Sequence, residues 1–355
     1  MAQLLVSTRK GLFEISQRGS EFKIDAVHFL GDPVTLTLWD PTRETLFAAL
    51  NLGHFGVKFR RKQRAGAWED LDPPSLAEVP STEDPTPSVQ QIWSLTMDPK
   101  GTLWAGTIPA ALFRSEDQGA TWTLNQALWQ EPTRTAWFGG GYDQAGIHTL
   151  LVHPNDPDQL TVGISCGGVW HSADGGQSFH PRCQGLRAEY MPPEKQSAPE
   201  AQDPHMIAQC QADPATLWMQ HHNGIFVTRD YAVTWREIRD VAPSVFGFAV
   251  AVHPDDPNTA WFVPAVKDEC RVPRDARVVV NRTRDGGKSF ETLTNGLPSS
   301  EAYDLVYRHA LAIHADGDQL AFGSTTGGLW ITHNQGDSWR MIPMRLPPIY
   351  AVAFK

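Results

Sequence analysis

The chain has 355 residues, with 30 Lys and Arg against 40 Asp and Glu, a formal net charge of −10, and 29 Gly, 27 Pro and 13 Trp. An acidic balance without a basic block excludes nucleic acid and anionic membrane as default partners, and no apolar run reaches the ~18–20 residues of a membrane span. A chain of this size buries enough surface to need no disulfide or metal staple. Its four Cys, at 166, 183, 210 and 270 and without C-x-x-C spacing, are therefore expected as reduced thiols in a cytoplasmic protein that starts without a signal peptide.

In chain order, residues 3–25 predict short strands, VSTRKGLFEI and FKI. Six longer units follow, at 34–72, 91–128, 147–185, 206–240, 247–297 and 309–343. Each opens on an apolar strand ending in a turn, as in LTLWDP, LTMDP, LLVHPNDP and VAVHPDDP. A second short strand follows (LFAAL, LWAGT, LTVGIS, LWMQ, AWFV, LAFGS), then a Gly-containing turn and a third strand. The last segment, 349–354, is a strand with no unit of its own. No sustained 3.6-residue periodicity supports helices.

The third strand of five units runs into one octapeptide pattern, S/T-x-D/N-x-G-x-S/T-W/F. It occurs at 115–122 (SEDQGATW), 172–179 (SADGGQSF), 228–235 (TRDYAVTW), 283–290 (TRDGGKSF) and 332–339 (THNQGDSW). These are turns that staple themselves, with hydroxyl and carboxylate oxygens accepting from nearby backbone N–H groups. Ala232 stands where Gly is expected and predicts a looser turn, and Asn334 replaces the acid in the last copy. An eroded copy lies at 59–68. The starts are 49 to 57 residues apart, close to the 51 or so that seven equal units of this chain would have. The expected fold is all-β: a seven-bladed β-propeller of four-stranded antiparallel blades, one domain over 1–355. It is closed by N- and C-terminal strands sharing one blade, which removes the exposed sheet edge.

The octapeptides resemble the Asp-box, or BNR, repeat of sialidases, oligoxyloglucan-cleaving glycosidases, sortilin-type receptors and photosystem II assembly factors. The whole chain is similar to bacterial proteins described as glycosyl-hydrolase or WD/YVTN/BNR-like repeat proteins. The resemblance implies the propeller and a structural box facing away from any active site. It carries no catalytic residues across. The Arg-Ile-Pro motif of sialidases is missing near the N-terminus, and sialidases resemble six blades rather than seven, which argues against a sialidase proper.

The face opposite the boxes carries long loops, at 74–91, 125–146, 185–205 and 295–309, and the long hairpin 264–277. Loops of this length are uncommon unless functional or disordered. Five of six Tyr map there or to adjoining strand starts, with the histidines at 54, 148, 205, 221, 222 and 309. Acid, base, Tyr and Arg side chains over one depression suit a small-molecule site. Asp143, Glu189 and Glu269 are the acids for a two-carboxylate glycosidase. Tyr190 or Tyr307, with Glu269, Arg271 and Arg308, would instead imitate the tyrosine chemistry of sialidases. Trp137, before the GGGYD stretch, serves either as a stacking platform or as a loop anchor. His54 and His221 are substrate-binding candidates. His148, His222 and His309 are candidate ligands for a divalent metal in the channel, although alternation along a strand keeps His221 and His222 from facing one point.

The leading expectation is a carbohydrate-active hydrolase of the sialidase-like superfamily, with a pocket at the channel mouth and an anionic small molecule or glycan as ligand. A metal-dependent lyase using the channel-mouth histidines is the second reading. A non-catalytic scaffold that docks a protein partner is the third.

Overall fold

The computed structural model describes residues 3–77, 87–140 and 142–355. Part of the 74–91 loop therefore lies outside the described residues. The chain is a seven-bladed β-propeller of seven four-stranded sheets with almost no helix. Blade 1 is built from both ends of the chain, in the order Ile349–Phe354, Gln3–Thr8, Gly11–Arg18, Glu21–His28. Blades 2 to 7 follow in sequence, within 34–71, 91–124, 146–181, 204–238, 247–293 and 311–341. Two compact units divide these blades. One holds blades 1, 5, 6 and 7, and the other holds blades 2, 3 and 4 with the segment 190–203.

The second strand of each blade is covered on both faces. It therefore reads as a continuous apolar run rather than an alternation: Leu103–Ile108, Leu217–His221 and Ala260–Pro264 are buried at every position. Outer strands such as Arg236–Ile238 grade to solvent. In the first unit Trp218 and Trp261 are wholly buried, and their indole N–H groups donate to the carbonyls of Pro257 and Gln335 at 2.9 and 2.8 Å. Neighbouring blades approach where a strand carries glycine. A Cβ on Gly323 would lie 2.4 Å from Ile349 Cγ2, and one on Gly106 would lie 2.3 Å from Ser94 Oγ and 2.4 Å from Ile147 Cγ2.

Blade 1 pairs Leu4 with Phe354 and Val6 with Val352. Buried Glu14 fixes this closure. It takes a 2.8 Å bond with His28 and a 3.2 Å bond with Lys355. The His28 hydrogen bond, reinforced by Lys355, holds its carboxyl down to about 2 in spite of burial.

The octapeptide turns are stapled as their residues predict. In 172–179, Ser172 Oγ donates to Asp174 Oδ1 at 2.7 Å, and the N–H and hydroxyl of Ser178 donate to the two carboxylate oxygens at 2.9 and 2.6 Å. The same pattern recurs at Asp117, Asp230 and Asp285. The turn at Ala232 is looser by one bond. Ala232 takes a left-handed φ of 64°, and Thr234 still gives both bonds to Asp230. The N–H to hydroxyl bond that Gly119, Gly176, Gly287 and Gly336 give in the other copies has no counterpart from Ala232 to Thr228 among the described residues.

Candidate functional site

One structural device recurs where blades 2 to 6 begin. The first strand of each slips register by one residue after its first or second pair: between Val34 and Leu36, Ile92 and Ser94, Ile147 and Thr149, Pro204 and Met206, and Gly247 and Val250. A bulge leaves a residue out of the ladder and re-aims its side chain. In blade 4 that residue is His148, and in blade 5 it is His205. Both mark the strand end at which the second–third hairpins also lie, because Gly146 pairs with Ser165 and Pro204 with His221.

In the unit holding blades 5 to 7, these ends gather a dense group around Phe248. The His205 ring stacks on Phe248, with centroids 4.6 Å apart and planes 13° apart. His222 meets His205 edge-on at 5.5 Å, and Phe246 packs against both imidazoles and Phe248. Tyr307 approaches Phe248 edge-on at 5.9 Å. The guanidinium carbons of Arg271 and Arg308 lie 5.4 and 5.2 Å from the Phe248 centroid. Both distances are within cation–π range. His205, Phe246, Phe248 and Arg308 are buried, while His222, Arg271 and Tyr307 are half-buried.

The polar contacts fix these side chains. His205 Nδ1 donates to the Gly247 carbonyl at 2.6 Å, so in the neutral ring Nε2 carries the lone pair. Asp268 accepts from Arg271 Nε and Nη2 at 3.1 and 2.6 Å, which orients that guanidinium on the 264–277 hairpin. Glu269, exposed beside them, is held below the usual carboxylate range by its own backbone N–H first, then by Lys267 and more weakly by His222. The group therefore offers two imidazoles for proton transfer, two guanidiniums for an anion, and aromatic surface for an apolar ring face.

Several expected residues fall inside this group: His222, Arg271, Arg308 and Tyr307, with Glu269 at its edge. Others do not. His221 points the opposite way, as alternation requires. It is wholly buried against Phe226, with Nδ1 accepting from the Asn223 N–H at 3.2 Å. As a substrate-binding candidate it is corrected to a core residue. Glu189 is exposed and 3.8 Å from Arg187. His309 is half-buried, and its carbonyl accepts from Val352. His205 was visible in the sequence only as one histidine of six on the face, because no local pattern announces a bulge.

The unit holding blades 2 to 4 has its own features. His148 is wholly buried, with Nδ1 2.8 Å from Thr149 Oγ1 and its ring edge-on to Trp93 at 5.6 Å. Trp93 also meets Tyr142 at 5.3 Å. Trp137 is 9% exposed and packs on Trp170 at 5.6 Å within an apolar cluster. It is the anchor of its loop, and the platform role is corrected. Tyr190, with its side chain partly at the surface, donates its hydroxyl proton to the Ala201 carbonyl at 2.5 Å, and desolvation of the hydroxyl, with Asp203 and Cys166 close by, raises the phenol. That bond fits an anchor of its loop better than a nucleophile. Buried Asp203 accepts from Ser165 Oγ at 3.0 Å and from the Cys166 N–H at 3.1 Å. Asp143 and His54 are exposed, and His54 meets Phe55 edge-on at 5.5 Å.

For a metal, His205 and His222 bring ring nitrogens within 4.8 Å of each other. His148 and His309 do not join that grouping, so the expected trio of His148, His222 and His309 is replaced by the His205–His222 pair.

No protein-family model matches the chain. A Neosartorya fischeri protein described as a probable oligoxyloglucan-reducing end-specific xyloglucanase is 23% identical over 267 residues, 67% of this chain and 30% of that protein. The chain thus spans under a third of the length of this relative. Among solved structures, the GH74 xyloglucanase of Xanthomonas campestris superposes with a TM-score of 0.66 at 18% identity, covering 95% of this chain and 52% of the other. The periplasmic gluconolactonase of Pseudomonas aeruginosa superposes with a TM-score of 0.62 at 13% identity, covering 99% and 98%. At these identities the structural likenesses establish the β-propeller fold that the sequence and sheet order describe.

Proposed function

We propose that this chain is a carbohydrate-active hydrolase whose working site is the group around Phe248 in blades 5 to 7. The observation that carries this reading is the convergence of His205, His222, Tyr307, Arg271 and Arg308 on one aromatic shelf, beside the ionised Glu269. The weak sequence similarity to a xyloglucanase supports a glycan as the ligand. In this reading an apolar sugar face rests against the half-buried Tyr307 ring at the edge of the buried Phe246 and Phe248, His222 exchanges a proton with the glycosidic oxygen, and Glu269 or Tyr307 is its partner. The two-carboxylate alternative needs a second acid beside Glu269, and Glu189 lies instead at the surface, 3.8 Å from Arg187. The free thiols fit a cytoplasmic setting, which we propose with it.

A panel of xyloglucan oligosaccharides and uronate- or sialate-containing glycans, assayed for reducing-end release, tests this reading. His222→Gln should lower turnover by ~10²–10⁴-fold, the usual worth of a positioned acid or base. No turnover of any glycan by the wild-type chain would remove the proposal. The His205–His222 spacing supports a metal-dependent lyase as a second reading. It requires stoichiometric metal in the purified protein, and two guanidiniums at the same shelf weigh against a dication.

A further inference from the structure

We infer that Gln220 is a positioning residue of the site: its buried amide sets where His222 sits relative to His205. Taking His222 as the group that exchanges the proton rests on the reading above. His222 lies in a two-residue turn, 222–223, between the strands Leu217–His221 and Gly224–Thr228, with His221 paired to Gly224 across its neck. Such a turn fixes the register of its own two strands. It does not fix how the tip leans on the next blade. Gln220 is 1% exposed, so its amide must find its partners within the protein. Nε2 donates to the carbonyls of His221 and Gly224, at 3.2 and 3.3 Å, and to that of Val245, at 2.9 Å. The first two carbonyls flank the turn that carries His222. The third leads into the first strand of blade 6, Gly247–Val252. Two N–H bonds are thus shared among three acceptors, and one side chain ties the turn to the next blade. The converging carbonyls also settle which way the amide points, since its oxygen in that place would meet only other acceptors.

The segment tied in this way is the one that holds the second imidazole. His205 Nδ1 is fixed on the Gly247 carbonyl, and Phe246 packs edge-on against both His205 and His222. Gly247 leaves the room this needs, because a Cβ there would lie 2.7 Å from the Val263 carbonyl oxygen and 3.2 Å from Gln220 Oε1. Gln220 therefore couples, through backbone on either side, the two rings that meet at 5.5 Å. Removing its donors releases the turn from Val245 and leaves buried carbonyls short of a partner. For a group that must meet a reacting oxygen, a shift of about 1 Å costs on the order of 10²-fold in rate.

Heteronuclear NMR of the unliganded protein, with His222 assigned through His222→Gln, tests this without any turnover. In the unsubstituted protein the Gln220 side-chain N–H protons should exchange with water at least ~10-fold more slowly than those of exposed Gln184. Gln220→Met keeps the length and removes both donors. It should broaden or split the His222 imidazole signals and speed amide exchange at Asn223 and Gly224 by ~10-fold, with the stapled turns unchanged. Gln220→Glu turns an acceptor toward three carbonyls and should do the same more strongly. With the best glycan of the panel, Gln220→Met should lower kcat by ~10–10²-fold and leave KM within ~2-fold. Fast exchange of the Gln220 amide in the unsubstituted protein overturns the inference, even where neither variant folds. So do His222 signals that Gln220→Met leaves unchanged, and exchange that quickens equally in every blade, as a merely structural glutamine would give. Disordered His222 signals in Gln220→Met, with no glycan turned over by the unsubstituted protein, would leave Gln220's hold on His222 and sink the hydrolase. Turnover that Gln220→Met leaves untouched would do the reverse.

Discussion

Replacing Asp174 by Asn separates charge from geometry in the stapled turn of blade 4. The carboxylate takes bonds from Ser172 Oγ, the Ser178 N–H and the Ser178 hydroxyl, and these hold its pKa down to about 2, the Ser178 hydroxyl contributing most. Against an unfolded value near 3.9 the full linkage would be roughly 2.5 kcal/mol. The turn is open to solvent, so screening reduces this to about 1 kcal/mol. Asn keeps the shape, as Asn334 shows in blade 7: its Oδ1 accepts from the Ser338 N–H at 3.0 Å and its Nδ2 donates to Ser338 Oγ at 3.0 Å. Because the folded pKa is depressed, the aspartate's contribution is complete above about pH 5, roughly half gone by pH 3, and lost as pH falls through about 2. Asp174→Asn should therefore unfold about 2 °C below wild type at pH 7, and the gap should narrow by about half at pH 3. Thermal melts followed by circular dichroism at both pH values measure it. A gap that stays constant or widens on acidification would refute the charge-based account of the turn.

Two further outcomes follow from the packing. Cys166, Cys183 and Cys210 are buried and Cys270 is exposed, and burial pushes the Cys183 thiol up to about 12. Native protein should therefore give one fast equivalent with an aromatic disulfide reagent and four after denaturation; two or more fast equivalents would contradict the burial. Gly106→Val should destabilise by about 3 kcal/mol or more, since its first side-chain atom would already overlap Ser94 and Ile147. A urea midpoint unchanged from wild type would show that blades 3 and 4 do not pack as described.

The propeller was legible because its signal is local and repeated. Each octapeptide encodes its own turn through residues four or fewer apart, and the unpaired terminal strands could be completed only by each other. The period of two also separated His221 from His222 correctly. The site was less legible because its side chains are aimed by bulges and tertiary contacts. His205 gains its place from a register slip between Pro204 and Met206 that leaves no mark in the sequence. Trp137 and Tyr190 lie in loops whose composition suits either a binding platform or an anchor. Only the partners, Trp170 for one and the Ala201 carbonyl for the other, decide between them. Phe246 and Phe248 read as ordinary strand residues until two arginines from distant segments come within cation–π range of the Phe248 ring.

The central claim is that the group around Phe248 is where a glycan acts. Hydrogen–deuterium exchange with and without the best-turned-over glycan of the panel tests it most directly. The account predicts slowed exchange at the amides of His205, His222, Phe248 and Arg271, with the stapled turns unchanged. Protection confined to the turns at 115–122, 172–179 and 283–290, or none at the Phe248 group, would contradict it.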